Sequence, residues 1–515
     1  MEATYGRTKK SMRNSVVALA IQFAAMLVGF FSRKIFIDYL GTEVLGLNTT
    51  ATSILNGLNL LELGIWSAIS VTLYKPLYDK DDQAVKEIIA LQGWLYKIVA
   101  SIVILGSLVV MAFFPQIFSK SSLPLWYPYA TFGVLLYSSV LTYFVNYKRN
   151  ALYADQQNYK VLLCSRLIAL VKLICQALTV RFFTHGYIWW VVLEAVFATL
   201  AAVITQMVVY RSFPYLREKV ENPAALRFKY PQVLQKIKYL SFHKLGGFAI
   251  SQIGPIIIYG YATLTLVAYY GNYMVLTANL LAVLTALYAG MEAGIGNMVA
   301  EGDRSLTMRV FGELFSSRIL VTSICSLCLW ILADPFISVW LGPQYVLPAS
   351  TRLMIVLGFF MAGSRTIAQS FVDAHGAFQD IWAPVAEVVL NVGLSILGSR
   401  FWGLDGILGG ALLAQIALGF FWKPYFLFRK VLDEPLSQYV RLYARHALLI
   451  GIGSACVIFL AKRIPIDPAS SLPAVLLYSL IVFVLSVLFL GGLLYLFEGS
   501  TRGFVHRIFR ALKSR

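Results

Sequence analysis

Residues 60–70 read LLELGIWSAIS and set Glu62 inside an apolar run that extends from about Val44 to Tyr74. A helix needs roughly 20 apolar residues to cross a hydrocarbon core about 30 Å thick, and this run exceeds that length. A carboxylate inside it is costly unless it faces protein or water. Runs of the same kind recur almost to the carboxyl end: the chain is 59% hydrophobic and 13% charged, with a mean hydropathy of +0.72. That balance lies outside the range of soluble globular chains. Backbone facing lipid must be hydrogen-bonded internally, and these runs are too long and too continuous for the alternating strands of a membrane barrel. The sequence therefore predicts an all-α integral membrane protein.

Hydropathy marks about fourteen spans, with limits near 14–37, 44–73, 88–113, 124–147, 158–180, 187–209, 239–260, 264–291, 309–333, 347–371, 380–398, 404–423, 442–461 and 473–497. The first follows MEATYGRTKKSMRN without a small-residue cleavage site, so it reads as an uncleaved first helix. With the amino terminus in the cytoplasm, and with bases at span ends counted in the adjoining loop, inside segments hold 29 of the 43 Lys and Arg residues and outside segments hold 7. Cytoplasmic loops are expected to carry such an excess, so both termini are expected inside. The net charge of +18 is thereby spread over short loops facing anionic lipid heads, which argues against nucleic acid as the partner.

The longest polar stretch contains SFPYLREKVENPAALRFKYPQ (212–232), broken by Pro214, Pro223 and Pro231. It leaves no room for a separate enzyme domain and divides the chain into an amino-terminal lobe of six spans (1–212), a basic linker (213–237), a second six-span lobe (238–430), and two trailing spans with a tail (431–515). LELGIWSAIS around Glu62 is echoed by MEAGIGNMVA around Glu292, each near the inner end of the second span of its half. Parallel repeats of this kind enclose a central cavity in many transporters.

The stretch SRKIFIDYLGTEVLGLNTTATSILNGLNLLELGIWSAIS (32–70), followed by a charged loop and YKIVASIVILG (96–106), resembles the first helices of the polysaccharide exporters and flippases of the multidrug/oligosaccharidyl-lipid/polysaccharide transporter superfamily. The span count, the two lobes, the trailing helices and the basic linker are similar to that family over nearly the whole chain. The resemblance implies a translocase in the bacterial plasma membrane that moves undecaprenyl-diphosphate-linked sugars, such as O-antigen, capsule or exopolysaccharide units, from its inner to its outer face. It implies a lipid-linked oligosaccharide and membrane lipids as partners, with contacts to glycan polymerase and glycosyltransferases, and no nucleic acid.

A diphosphate head needs positive charge, and Arg offers phosphate a planar fork of donors where Lys offers a point charge. The candidates for that role are Arg33 and Lys34 near the outer end of span one, Lys244 in span seven, Arg318 in span nine, and Arg352 and Arg365 in span ten. Each has an alternative in an interfacial anchor or a helix pair. Lys97, Arg166 and Lys172 add to an excess of in-span bases over deep acids. Glu62, Glu292, Glu194 and Glu387 are candidates for ion coupling or for pairing helices. Glu62 lies about 18 Å from the inner end of its run, too deep to reach solvent along a lipid-facing surface.

No GxxxxGK[ST] phosphate loop and no HExxH pair occurs, and Cys325 and Cys328 share an apolar span, so no cofactor, metal or thiol chemistry is called for. The expected function is alternating access by a lipid-linked glycan flippase, with H+ or Na+ coupling open. An ion-coupled multidrug exporter is the alternative, relying on carboxylates and a small amphipathic substrate. A membrane glycan polymerase or ligase would need a larger outside loop than this chain has.

Overall fold

The computed structural model describes residue 24 and residues 26–513 except 156, 158, 378 and 381; at 60–61, 63, 239–252, 289–294, 296–297, 300–301 and 508–513 it describes the backbone only. The first ten residues of the first expected span, 14–23, and the side chains of Lys244 and Glu292, both candidates, lie outside the described residues. Among the described residues the chain is helical throughout and contains no strand.

The helices are α1 (26–40), α2 (Thr42–Leu58), α3 (Leu63–Tyr78), α4 (Asp82–Ala112), α5 (Trp126–Phe144), α6 (Arg149–Ala154), α7 (Tyr159–Phe182), α8 (Gly186–Ser212), α9 (Pro231–Tyr261), α10 (Leu264–Glu301), α11 (Arg304–Trp340), α12 (Ala349–Ser364), α13 (Thr366–Ala374), α14 (Trp382–Gln415), α15 (Leu436–Ala461), α16 (Leu472–Ser486) and α17 (Gly499–Lys513). Wider π-type turns extend α14 to Val431 and link α16 to a last segment ending at Phe497. Among the described residues nine helices are long and apolar enough to cross a membrane, ten if the bent pair Trp126–Phe144 and Asn146–Ala154 is one span. Among the described residues each expected span falls mainly on helical backbone, the first of them from residue 26 onward.

One of those nine, Trp382–Val431, is two antiparallel spans. A Cβ on Gly398 would stand 2.4 Å from the carbonyl oxygen of Gly406, and the backbone of Leu394 and Ser395 lies against Gly410. Eight residues of straight helix would separate Gly398 from Gly406 by about 12 Å, so the chain must double back between them. Gly403 makes the turn with φ 53° and ψ −126°, a region that favours glycine. Ser395 Oγ closes the hairpin by donating to the Ile407 carbonyl at 2.8 Å. The Gly406-x-x-x-Gly410 spacing thus serves close packing within one hairpin.

Contacts group the chain into two units, residues 1–268 and 269–515. In the first, α7 pairs with α8, α5 with α2, α4 and α8, and α9 with α3 and α2. The sequence division at the linker placed α9 with the second lobe; its packing on α2 and α3 puts it in the first unit. The linker is pinned to the same unit through Lys86 on Glu218 at 2.7 Å, Lys229 on Glu87 at 2.6 Å and Lys148 on the Leu216 carbonyl at 2.9 Å. In the second unit α11 is the hub. It packs on α12, and the trailing helices α15, α16 and α17 lie against it, with Ile324, Leu327, Val457 and Leu490 forming a buried seam.

Candidate functional site

The apolar run that opened the question is broken where its acid stands. Asn59–Glu62 form a single tight 3-10 turn between α2 and α3, in a segment (NGLNLLELG, 56–64) whose Gly and Asn residues propagate a helix poorly. Each polar group of the break is met by a neighbouring helix. The Tyr96 hydroxyl of α4 donates to Glu62 Oε1 at 3.1 Å. The Tyr143 hydroxyl and Ser139 Oγ of α5 donate to Asn59 Oδ1 at 2.9 and 3.2 Å. Tyr96 and Tyr143 are buried, and their rings meet edge to face at 5.5 Å. One turn away a second polar group is closed, with Ser70 Oγ on Asn150 Oδ1 at 2.5 Å and Asn150 Nδ2 on the Trp66 carbonyl and on Gln92 Oε1 at 3.0 and 3.3 Å. Glu62 therefore faces protein, hydrogen-bonded to the adjacent helix.

Glu194 is likewise held. It accepts from Lys172 Nζ at 2.7 and 3.0 Å and from Gln176 Nε2 at 3.0 Å, joining α7 to α8. On α1, Arg33 and Lys34 are both half-buried, and Lys34 pairs with Asp38 one turn on, at 3.6 Å.

In the second unit Arg318 is 2% exposed and spends its guanidinium inside the unit. Nε donates to the Gly363 carbonyl at 2.8 Å, Nη1 to the Leu284 carbonyl at 3.0 Å, and Nη2 to Thr366 Oγ1 at 3.4 Å, while the Tyr288 ring lies 4.7 Å from Cζ. It joins α10, α11, α12 and α13. Arg352 pairs with Asp334 and lies over the Trp330 ring at 4.4 Å; Asp334 also accepts from the Tyr273 hydroxyl at 2.8 Å. Arg365 meets Glu387 at 2.5 Å, beside a narrow crevice walled by Phe315, Met361, Ser364, Phe420, Tyr439 and Tyr443.

These placements revise the charge count. Lys172, Arg352 and Arg365 each have a carboxylate partner, and Arg318 is satisfied by carbonyls, so much of the apparent excess of positive charge is internal. Asp334 was missed because its Asp-Pro pair reads as the end of a span; the helix continues through Pro335 to Trp340 and brings the acid opposite Arg352. Another group not singled out is buried His446, which accepts at Nε2 from Ser316 at 2.9 Å while its Nδ1 faces the Leu442 carbonyl at 2.8 Å, fixing α15 to α11. Sequence offers little signal for it, since a histidine in an apolar run fits an interface equally well. Among the described residues no group of three His, Cys, Asp or Glu side chains is placed to hold a metal.

No family model matches the chain, and no curated protein matches it in sequence. Solved structures do. The lipid II flippase MurJ in an inward closed conformation superposes with a TM-score of 0.62 at 14% identity, over 93% of this chain and 100% of that one. A multidrug resistance MATE family transporter of the MOP superfamily, facing inward, gives 0.60 at 13% identity over 79% and 97%. The Vibrio cholerae MATE transporter VcmN gives 0.51 at 14% over 81% and 99%. At such identities the likeness is one of fold. The chain is a multi-pass membrane protein with the fold of these flippase and transporter structures.

Proposed function

We propose that this chain is a flippase that carries an undecaprenyl-diphosphate-linked oligosaccharide, an O-antigen, capsule or exopolysaccharide unit, from the inner to the outer face of the bacterial plasma membrane by alternating access, with both termini in the cytoplasm. The observation that carries this reading is coverage. The lipid II flippase corresponds to 93% of the chain, the two multidrug transporters to 79% and 81%. Arg33, half-buried on α1, is the preferred ligand for the diphosphate, because its planar fork of donors suits phosphate. Lys34, paired with Asp38, is a weaker one, and Lys244 stays a candidate from sequence. Glycan polymerase and glycosyltransferases are the partners that would consume and supply the cargo.

Ion coupling by H+ or Na+ enters the same proposal, with Glu62 as its carboxylate: it stands at a break in a span, where a change of protonation alters the bond to Tyr96 and thus the angle of α2 to α3. No covalent bond is made or broken in the cycle.

The test is translocation in sealed vesicles. Purified chain is reconstituted with a polyprenyl-diphosphate oligosaccharide, and access of an external glycosidase to the glycan is followed with time. Inversion that requires the protein, and is slowed by Arg33→Ala more than by Arg33→Lys, supports the reading. Efflux of small organic cations with no glycan inversion replaces it with the multidrug exporter.

A further inference from the structure

The linker clasps the first turns of α4, close to two exposed bases, Arg227 and Lys97. Helix α4 has 31 residues and is about 46 Å long, some 16 Å more than a hydrocarbon core. Apart from Lys97, its charged residues, Asp82, Lys86 and Glu87, lie in its first two turns, so the excess falls at that end and Trp94 stands near the hydrocarbon boundary, where indole rings favour the headgroup level. The acids of the clasp are taken: Glu87 by Lys229 at 2.6 Å and the Tyr230 hydroxyl at 2.7 Å, Glu218 by Lys86.

Arg227 is not so paired. Its Cζ lies 5.7 Å from the Trp94 ring and 4.7 Å from the Phe228 ring, and Phe228 is 75% exposed. Three residues beyond Trp94, on the same face of α4, comes Lys97, exposed and about 4.5 Å deeper along the axis. Neither Arg227 nor Lys97 makes an ion pair among the described residues. Past Lys97 the same face continues with Ser101 and the exposed apolar side chains Leu105 and Leu108. A lysine on a lipid-facing ridge is costly unless an anion meets it at the interface.

We infer that Arg227, Lys97 and the Trp94 and Phe228 rings form a binding site for an anionic glycerophospholipid, whose phosphate sits between the two bases and whose acyl chain runs down the apolar ridge of α4. Guanidinium and ammonium supply the charge-assisted donors for phosphate, the two rings take the glycerol level, and the ridge takes the chain. Bound there, the lipid closes the linker onto α4 and ties the composition of that leaflet to the stability of the clasp. The inference stands apart from the nature of the transported cargo.

The experiment uses the full chain in nanodiscs, with lipids brominated along the acyl chain and tryptophan fluorescence as readout. Phosphatidylglycerol should quench a component that disappears in Trp94→Phe, and phosphatidylcholine should not quench it selectively. Lys97→Gln and Arg227→Gln should each weaken phosphatidylglycerol binding about fivefold, while Lys238→Gln, which removes an exposed base elsewhere on the same end, should leave it unchanged. An equal loss with Lys238→Gln would reduce the effect to general surface charge and overturn the site. So would equal quenching of Trp94 by phosphatidylcholine in the wild-type chain, a comparison that needs no base variant to fold. Displacement of the phospholipid by a polyprenyl diphosphate at equal affinity would make this a substrate site and overturn the assignment to phospholipid.

Discussion

Helices α7 and α8 are joined deep in the membrane by one ion pair, and cutting it from the acid's side alone should cost more than removing both partners. Lys172 lies 13 residues from the start of α7 and 10 from its end, about 20 and 15 Å along the axis, beyond the full reach of a snorkelling side chain. Glu194→Leu removes the acceptor of contacts at 2.7, 3.0 and 3.0 Å. Interhelical hydrogen bonds in membranes average about 0.6 kcal/mol and reach about 1.7. A lysine left without its counter-charge near a helix centre adds up to about 2.5–3.5 kcal/mol, less whatever partial snorkelling recovers. The single variant should therefore lose about 2–4 kcal/mol. Lys172→Met/Glu194→Leu abolishes the stranded charge together with the bonds and should lose about 1 kcal/mol or less, because an apolar pair in lipid needs no partner. Equilibrium unfolding in mixed micelles of rising denaturing-detergent content measures both, and the double-mutant cycle should return a coupling above about 1.5 kcal/mol. A double variant as unstable as the sum of the two singles would refute the argument. Normal transport by the stable double variant would further remove Glu194 from ion coupling and leave it as a helix-pairing residue.

Glu62→Gln should keep more transport than Glu62→Leu if bonding across the break is its main work, since an amide still accepts from Tyr96; equal loss at normal membrane abundance would make the charge itself functional. Gly406→Leu should abolish the hairpin outright, because even a Cβ there would meet the Gly398 carbonyl oxygen at 2.0 Å, and recovery of folded, monodisperse protein would contradict the doubled-back course of 382–431. Cysteines placed near Gly41 and Asp467 should label from outside intact cells while those at Asp81, Asn222 and Lys513 stay protected, and labelling at Asn222 would invert the proposed orientation. At the Gly41 end, burial of Glu43 works to raise its pKa, but hydrogen bonds from the Ser122 side chain, Ser121 and the Ser122 backbone outweigh it and hold the pKa below its usual 4.5. A depressed carboxylate gives stability that is complete above that usual value and is lost as pH falls through the lowered one. The stability gap between wild type and Glu43→Gln should thus be widest near neutral pH and shrink below about pH 4.5, which unfolding followed across that range will show.

The sequence by itself determined the class of this protein. Fourteen long apolar runs leave no other solution in lipid than helices, because a backbone without water must satisfy itself locally, and that requirement is written in composition and run length. The acid at residue 62 was legible as one that must face protein, since its depth forbids escape to water. What the sequence did not reveal was the partner of each charge. Tyr96 and Tyr143 lie 34 and 81 residues from Glu62, Asp334 is 18 residues from Arg352, and nothing in one helix records which face of another it will meet. The tertiary structure decided that Arg318 is spent on carbonyls, that Arg352 and Arg365 are neutralised, and that α9 belongs with α2 and α3. Apolar periodicity in a membrane reports only which segments cross it; helix contacts there are chosen by close packing and polar pairing, and these depend on atoms brought together by the fold.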